Sequence, residues 1–247
     1  SGFHTFAQEK AASSQQVGAI RLEKDVEVAI SEGLDYLSKT QNPKTGAWDS
    51  NHPVADTSLA LMAFMLQGHV PERGKYGETM EAAINYIVKV GKDGNGGYLG
   101  TPSHHGGMYE HGLAILALSE AWGQSTNRKL GHTLKRAVDI TIRAQSKHQQ
   151  SGGGGWRYNP EPRDADLSMT VMHTVALNSA KEAGISVPDE TLNRAVKYVL
   201  YCQDETSGGF GYSGPSGPGF ARTAAGVMSL LMCGVDANHP AYPAVKR

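Results

Sequence analysis

The sequence predicts an all-α domain built from four stacked helix pairs. A frame of Gly, Gln and aromatic residues recurs four times. Amphipathic helical segments alternate with segments that are apolar around most of their circumference. No segment sustains the period-two alternation of a half-buried strand. Repetition comes before any motif, because a repeated helix pair buries its apolar face only by stacking on its neighbours.

The frame opens in "GLDYLSKTQNPKTGAW" as G-x2-Y-L-x3-Q-x4-G-x-W, carried by Gly33, Tyr36, Leu37, Gln41, Gly46 and Trp48. "AINYIVKVGKDGNGGY" sets Ala83, Tyr86, Ile87, Gly91, Gly96 and Tyr98 on those positions. "AVDITIRAQSKHQQSGGGGW" offers Ala137, Gln145 and Trp156, and "AVKYVLYCQDETSGGF" offers Ala195, Tyr198, Val199, Gln203, Gly208 and Phe210. The repeats are read as about 23–75, 76–128, 129–187 and 188–235, after an N-terminal extension at 1–22 and before the start of a fifth repeat at 236–247.

The first segment of each repeat is an outer helix. In "DVEVAISEGLDYLSK" Val26, Ile30, Gly33 and Leu37 share one face, with Glu27, Glu32 and Lys39 elsewhere. The second segments, "DTSLALMAFMLQG", "EHGLAILALSEAWG", "DLSMTVMHTVALNSA" and "RTAAGVMSLLMCG", are inner helices, apolar enough to be surrounded by other helices. Between the two, the Gln is expected to bond carbonyls left free at the outer-helix end, and the Gly to let the chain turn back. Trp48, Tyr98, Trp156 and Phe210 are then packing residues at repeat junctions.

Composition excludes several functions. With 247 residues, 39% apolar, 19% charged and a formal net charge of −1, the chain is a soluble globular one with no basic excess for nucleic acid. Its longest apolar run, Leu59 to Leu66, is far short of the ~18 residues of a transmembrane segment. The chain begins at Ser1, which leaves room for a removed tag, signal peptide or upstream region, and the location is open with a lean toward periplasm or secretion. Cys202 and Cys233 end antiparallel neighbouring helices, at opposite sides of the layer, so no disulfide is expected.

"GLDYLSKTQNPKTGAW" resembles the QW motif of squalene-hopene and oxidosqualene cyclases, and residues 23 to 234 are similar to the prenyltransferase and squalene-oxidase repeat. The resemblance is strong in repeats one and four and degenerate in repeat two, where Gly91 replaces the Gln. It implies an α/α toroid, an inner barrel of parallel helices ringed by antiparallel outer ones. Closed rings in the family have about six helix pairs, so four repeats imply an incomplete, open (α/α)6 barrel. Missing repeats or a second chain would complete it. The start of a fifth outer helix is read at Ala244, Val245 and Lys246, which match Ala195, Val196 and Lys197.

Function is sought at the rim, where loops lead into the inner helices. The aligned residues there are Asp56, Glu110, Asp166 and Arg222, and Asp56 and Asp166 also read as N-caps. Class II cyclases protonate their substrate with the central Asp of D-x-D-D, and "RDADLS" offers Asp164 and Asp166 at two of its three acids. The resemblance therefore implies Asp164 and Asp166 as the candidate acid, His111 and Arg222 as electrostatic partners, and Asp56, Glu110, Tyr109 and His173 as ligand-binding residues. The ligand implied is small and apolar or isoprenoid in type. The D-x-C zinc motif of protein prenyltransferases and the C-G-E-Q of thioester domains do not occur. "HHGGMYEH" holds His104, His105, Glu110 and His111 without a recognised ligand spacing, so no metal and no cofactor is expected. The glycine-rich loops do not follow strands and are no phosphate cradle. Two other readings use the same fold: a non-catalytic binding or interaction module, and a polysaccharide lyase or hydrolase acting through rim carboxylates.

Overall fold

The computed structural model describes residues 24–48, 51–92, 96–101, 106–148 and 153–239. The N-terminal extension, His104, His105 and the residues read as a fifth outer helix lie outside them. Among the described residues there are eight α-helices and no β-strand, only two isolated bridges. The chain divides into two compact units, Ser1–Lys39 and Thr40–Arg247.

The first unit is described through helix α1, Lys24–Thr40, with Asp25 and Glu27 in its first turn and Lys39 in its last, the polarity that a helix dipole favours. Its buried residue is Leu34, whereas Val26 and Gly33 of the expected apolar face are exposed. Periodicity defines which residues line up, and the covered stripe is displaced toward Ile30, Leu34 and Leu37.

The second unit holds α2 (Pro53–Leu66), α3 (Gly77–Val90), α4 (Gly107–Ala121), α5 (Arg128–Arg143), α6 (Leu167–Glu182), α7 (Asp189–Tyr201) and α8 (Phe220–Met232). The inner helices pack in series, α2 on α4, α4 on α6 and α6 on α8. The outer helices lie against them, α3 on α2, α5 on α4 and α6, and α7 on α6 and α8. Helices α4 and α6 run parallel: Tyr109 reaches Ser168 at their N-terminal ends, and Ser179 reaches Glu120 near their C-terminal ends. Helix α5 buries Leu130, Leu134, Ala137, Val138 and Thr141 along one stripe and exposes Lys135 and Asp139, as an outer helix should. Helix α4 buries residues on nearly every side.

One hydrogen bond, repeated in every loop, sets the register of the repeats. The backbone N–H of Trp48 donates to Thr57 Oγ1 (3.3 Å), that of Leu99 to His111 Nδ1 (3.0 Å), that of Trp156 to Thr170 Oγ1 (3.3 Å) and that of Phe210 to Thr223 Oγ1 (3.2 Å). Leu99, not Tyr98, therefore stands where Trp48, Trp156 and Phe210 stand, and Gly97 rather than Gly96 is the counterpart of Gly46. Tyr98 is buried one residue earlier, its ring 5.0 Å from that of His111. The adjacent glycines in "GNGGY" make the two registers equivalent by eye, and only the loop's bond to the inner helix separates them.

The frame's Gln acts across repeats. Gln145 Nε2 donates to Gly154 O (2.6 Å) and to Thr191 O in the first turn of α7 (2.8 Å); Gln41 does the same with Gly46 O (2.8 Å) and Thr79 O (2.9 Å). It does not cap its own helix as expected, because the last carbonyls of α5 already accept backbone N–H groups, Ala144 N to Ile140 O among them. In repeat two the place is tight: a Cβ on Gly91 would lie 2.9 Å from side-chain methyls of both Leu99 and Thr133, so a Gln there requires these side chains to shift. Both cysteines are free, as expected. They nevertheless meet one apolar cluster with Val199, Phe210 and Leu230, and burial pushes Cys202 up to about 11 and Cys233 up to about 12.

Candidate functional site

The rim starts with where the inner helices begin. Helix α2 begins at Pro53, whose fixed φ suits a first turn, so Asp56 lies four residues into the helix and is not its N-cap. Helix α4 begins at Gly107 and places Glu110 likewise. Asp166 is a true N-cap, its Oδ1 accepting from Met169 N (2.8 Å). The four acids and bases aligned from the sequence are thus out of register, since Asp166 precedes its helix while Asp56, Glu110 and Arg222 sit inside theirs.

The richest polar cluster at the rim surrounds Asp166, which is fully buried. Its Oδ2 accepts from Arg157 Nη1 (2.6 Å) and its Oδ1 also accepts from Ser168 Oγ (2.5 Å). Ser168 in turn accepts from Tyr109 Oη (2.8 Å), so Tyr109, Ser168 and Asp166 form one donor chain. The Arg157 guanidinium also reaches half-exposed Asp164 (3.4 Å) and lies over the Tyr158 ring, 4.6 Å from its centre. Its Nη1 donates to Tyr212 Oη (3.3 Å), and the Tyr158 and Tyr212 hydroxyls share a short hydrogen bond. Burial pushes the Tyr109 hydroxyl above the usual phenol range. Three donors thus meet Asp166: Met169 N and Ser168 Oγ at Oδ1 and Arg157 Nη1 at Oδ2.

Asp164 and Asp166 both reach Arg157, and neither is paired with His111 or Arg222 among the described residues. Arg222 is exposed in the first turn of α8. His111 is buried, with Nδ1 accepting from Leu99 N within repeat two and Nε2 donating to Ala137 O of repeat three (3.1 Å), so both nitrogens are engaged in structural bonds. Burial lowers it to about 4. His173 is also fully buried, 5.6 Å from the Trp156 ring and 6.5 Å from that of His111, with no hydrogen-bond partner on either nitrogen, and burial lowers it to about 3. Glu110 is buried and accepts from Thr101 N (2.9 Å) and Thr101 Oγ1 (2.8 Å), and His52 Nδ1 lies 2.9 Å from its other oxygen. It ties two repeats together. No group of three or more His, Cys, Asp or Glu among the described residues could hold a metal ion.

Arg157, Tyr158, Ser168 and Tyr212 escaped the sequence reading. A signal for them exists: Trp156-x-Tyr158 and Phe210-x-Tyr212 repeat the same spacing, which places both tyrosines on one rim.

A second site lies toward the other end of the inner row, where Met62, Met65, Leu66, Leu116, Glu120 and Gln124 line a cavity of about 430 Å³ between α2 and α4. Four of its six side chains are apolar. Glu120 Oε1 accepts from Ser179 Oγ (2.9 Å), which orients the carboxylate at the polar edge. No helix among the described residues is long and apolar enough to cross a membrane. No protein-family model matches the chain, and no curated protein matches it.

Proposed function

We propose that this chain is a binding protein for a small apolar ligand of isoprenoid type, held between the C-terminal ends of α2 and α4. The cavity walled by Met62, Met65, Leu66 and Leu116 carries the reading. Its volume falls in the ordinary range of small-molecule sites, roughly 300–1,000 Å³, and its mix of apolar walls with one or two placed polar groups is what such sites use. Methionines adapt to branched chains of irregular outline. Glu120 would accept from a terminal hydroxyl, so an isoprenoid alcohol suits the site better than a pure hydrocarbon.

Binding without cyclisation is the better account of the rim. An acid-initiated reaction needs a carboxylic acid that keeps its proton. Asp166 is fully buried and both its oxygens are taken up by Arg157 Nη1, Ser168 Oγ and Met169 N, so the side chain ties the start of α6 to its loop and does not face a ligand. The test is titration with farnesol and with squalene, followed by ligand fluorescence displacement and by mass spectrometry of the products. Saturable farnesol binding, weakened at least tenfold in Leu116→Asp, and unchanged ligand on recovery are expected. No saturable binding, or equal binding by Leu116→Asp, would discard the proposal. A cyclised product that disappears in Asp166→Asn would establish acid catalysis in its place.

A further inference from the structure

The repeat register allows each inner-helix position to be compared with its equivalents. Val54, Met108, Leu167 and Phe220 are one such set. The first three are at most 2% exposed, whereas Phe220 is 95% exposed. The covering comes from the repeat that follows: Met108 N donates to Tyr158 O (3.3 Å) and Leu167 N to Tyr212 O (2.8 Å), so each next loop lies across the preceding helix start. Helix α8 has no such loop over it among the described residues. Ala224, Met228 and Leu231 continue the exposed stripe from Phe220 at helical spacing along its whole length.

Helix α2 presents the opposite half of the same joint. Leu59 is exposed, and Ala63 is part-exposed where its equivalents Ala117 and Ala176 are fully buried. The seating of one inner helix on the next is seen at Gly112 of α4, where a Cβ would lie 2.7 Å from Met172 of α6. By the register, Ala224 of α8 occupies the place of Gly112, and Leu59 of α2 the place of Met172. A small residue faces a large one across the joint in both cases.

We propose that copies of this chain associate head to tail, α8 of one seated on α2 of the next, as a fourth joint of the kind that already links α2 to α4, α4 to α6 and α6 to α8. Both half-faces are present on one molecule, and the joint continues an interface the chain uses three times internally. The contact is heterologous, so it propagates until geometry closes it. Exposed apolar stripes of this length mark association surfaces in folded proteins.

Sedimentation of the 247-residue chain over a concentration series tests the proposal. The mass is expected to rise from one copy to two and beyond. Ala224→Arg blocks one half-face and Leu59→Arg the other, so each variant alone should stay monomeric, while an equal mixture should form a species of two copies and none larger. A wild-type monomer throughout overturns the proposal. So does a Leu59→Arg variant that still dimerises alone, which would mean α8 pairing with α8. Hydrogen exchange on the wild type needs no variant to fold: amides of α8 should gain at least tenfold protection between dilute and concentrated samples. Protection of α8 that is independent of concentration would assign the face to a covering segment of the same chain and overturn association.

Discussion

His111 and His173 show how one residue type takes different meanings from its surroundings. His111 replaces the Thr that receives the loop N–H in the other repeats; burial holds it neutral, with Nδ1 accepting from Leu99 N, and its bond to Ala137 O offsets only part of that effect. His173 replaces Ala60, Ala114 and Gly226 at a position that elsewhere has no polar atom to satisfy. Burial depresses both below the ordinary 6.5, to about 4 and about 3. The unfolded chain binds these protons near pH 6.5 and the folded chain does not. Stability is therefore full above pH 6.5 and is lost as pH falls through about 4 toward 3, by up to roughly 1.4 kcal/mol per pH unit for each histidine. Thermal melts between pH 7 and 4 should show this slope, and His173→Leu should flatten it without loss at pH 7, because an imidazole with no partner contributes no hydrogen bond there. An unchanged slope in His173→Leu would mean that other groups govern acid unfolding.

The loops, at the scale of elements, act as the joints of the array. The first three turn back through a glycine at positive φ, Gly46, Gly97 and Gly154, pressed against the next outer helix. Gly154 (φ 105°) would put a Cβ 2.3 Å from Arg194 O, and Gly46 (φ 79°) one 2.4 Å from Ala82 O. These positions need glycine twice over, for conformation and for room. Gly96 (φ 62°) meets nothing within 4 Å and needs it only for conformation. Gly96→Ala should cost about 1 kcal/mol, the ordinary penalty of the left-handed region. Gly154→Ala should cost at least about 2 kcal/mol more in urea melts, since a backbone carbonyl has to move. Equal costs would show that the helices separate freely at this joint. The Gln side chains work beside these glycines, and their bonds to Thr79 and Thr191 tie each loop to the helix after it.

Across the whole molecule, stability follows the row. Helices α4 and α6 each have an inner neighbour on both sides, while α8 packs on α6 and α7 and exposes Phe220, Met228 and Leu231. In an array of nearest-neighbour contacts the element with fewest joints opens first. In dilute solution, amides in the middle of α8 should exchange at least tenfold faster than those in the middle of α4 and α6. Uniform exchange would indicate that the second unit opens as one cooperative body and that the joints are not separable. The same face that frays α8 in isolation is the one proposed to hold a second copy.

The sequence by itself determined the all-α class, the alternation of inner and outer helices, and the four repeats, because these depend on local periodicity and on spacing that recurs. It also exposed Gln41, Gln145 and Gln203 as equivalent residues and brought Asp164 and Asp166 forward as a pair. Only the tertiary structure decided which atoms these groups meet. Arg157 lies nine positions before Asp166, with no local pattern to link them, and Gln145 reaches a carbonyl 46 residues on. The starts of α2 and α4 at Pro53 and Gly107, ahead of the acids that read as helix starts, and the choice of Leu99 over Tyr98, were likewise settled by packing. A periodic sequence states which side of a helix is apolar. The partner of a buried polar group depends on how helices about 50 residues apart are seated on one another, and that comes from side-chain volumes and hydrogen bonds acting together in the folded array.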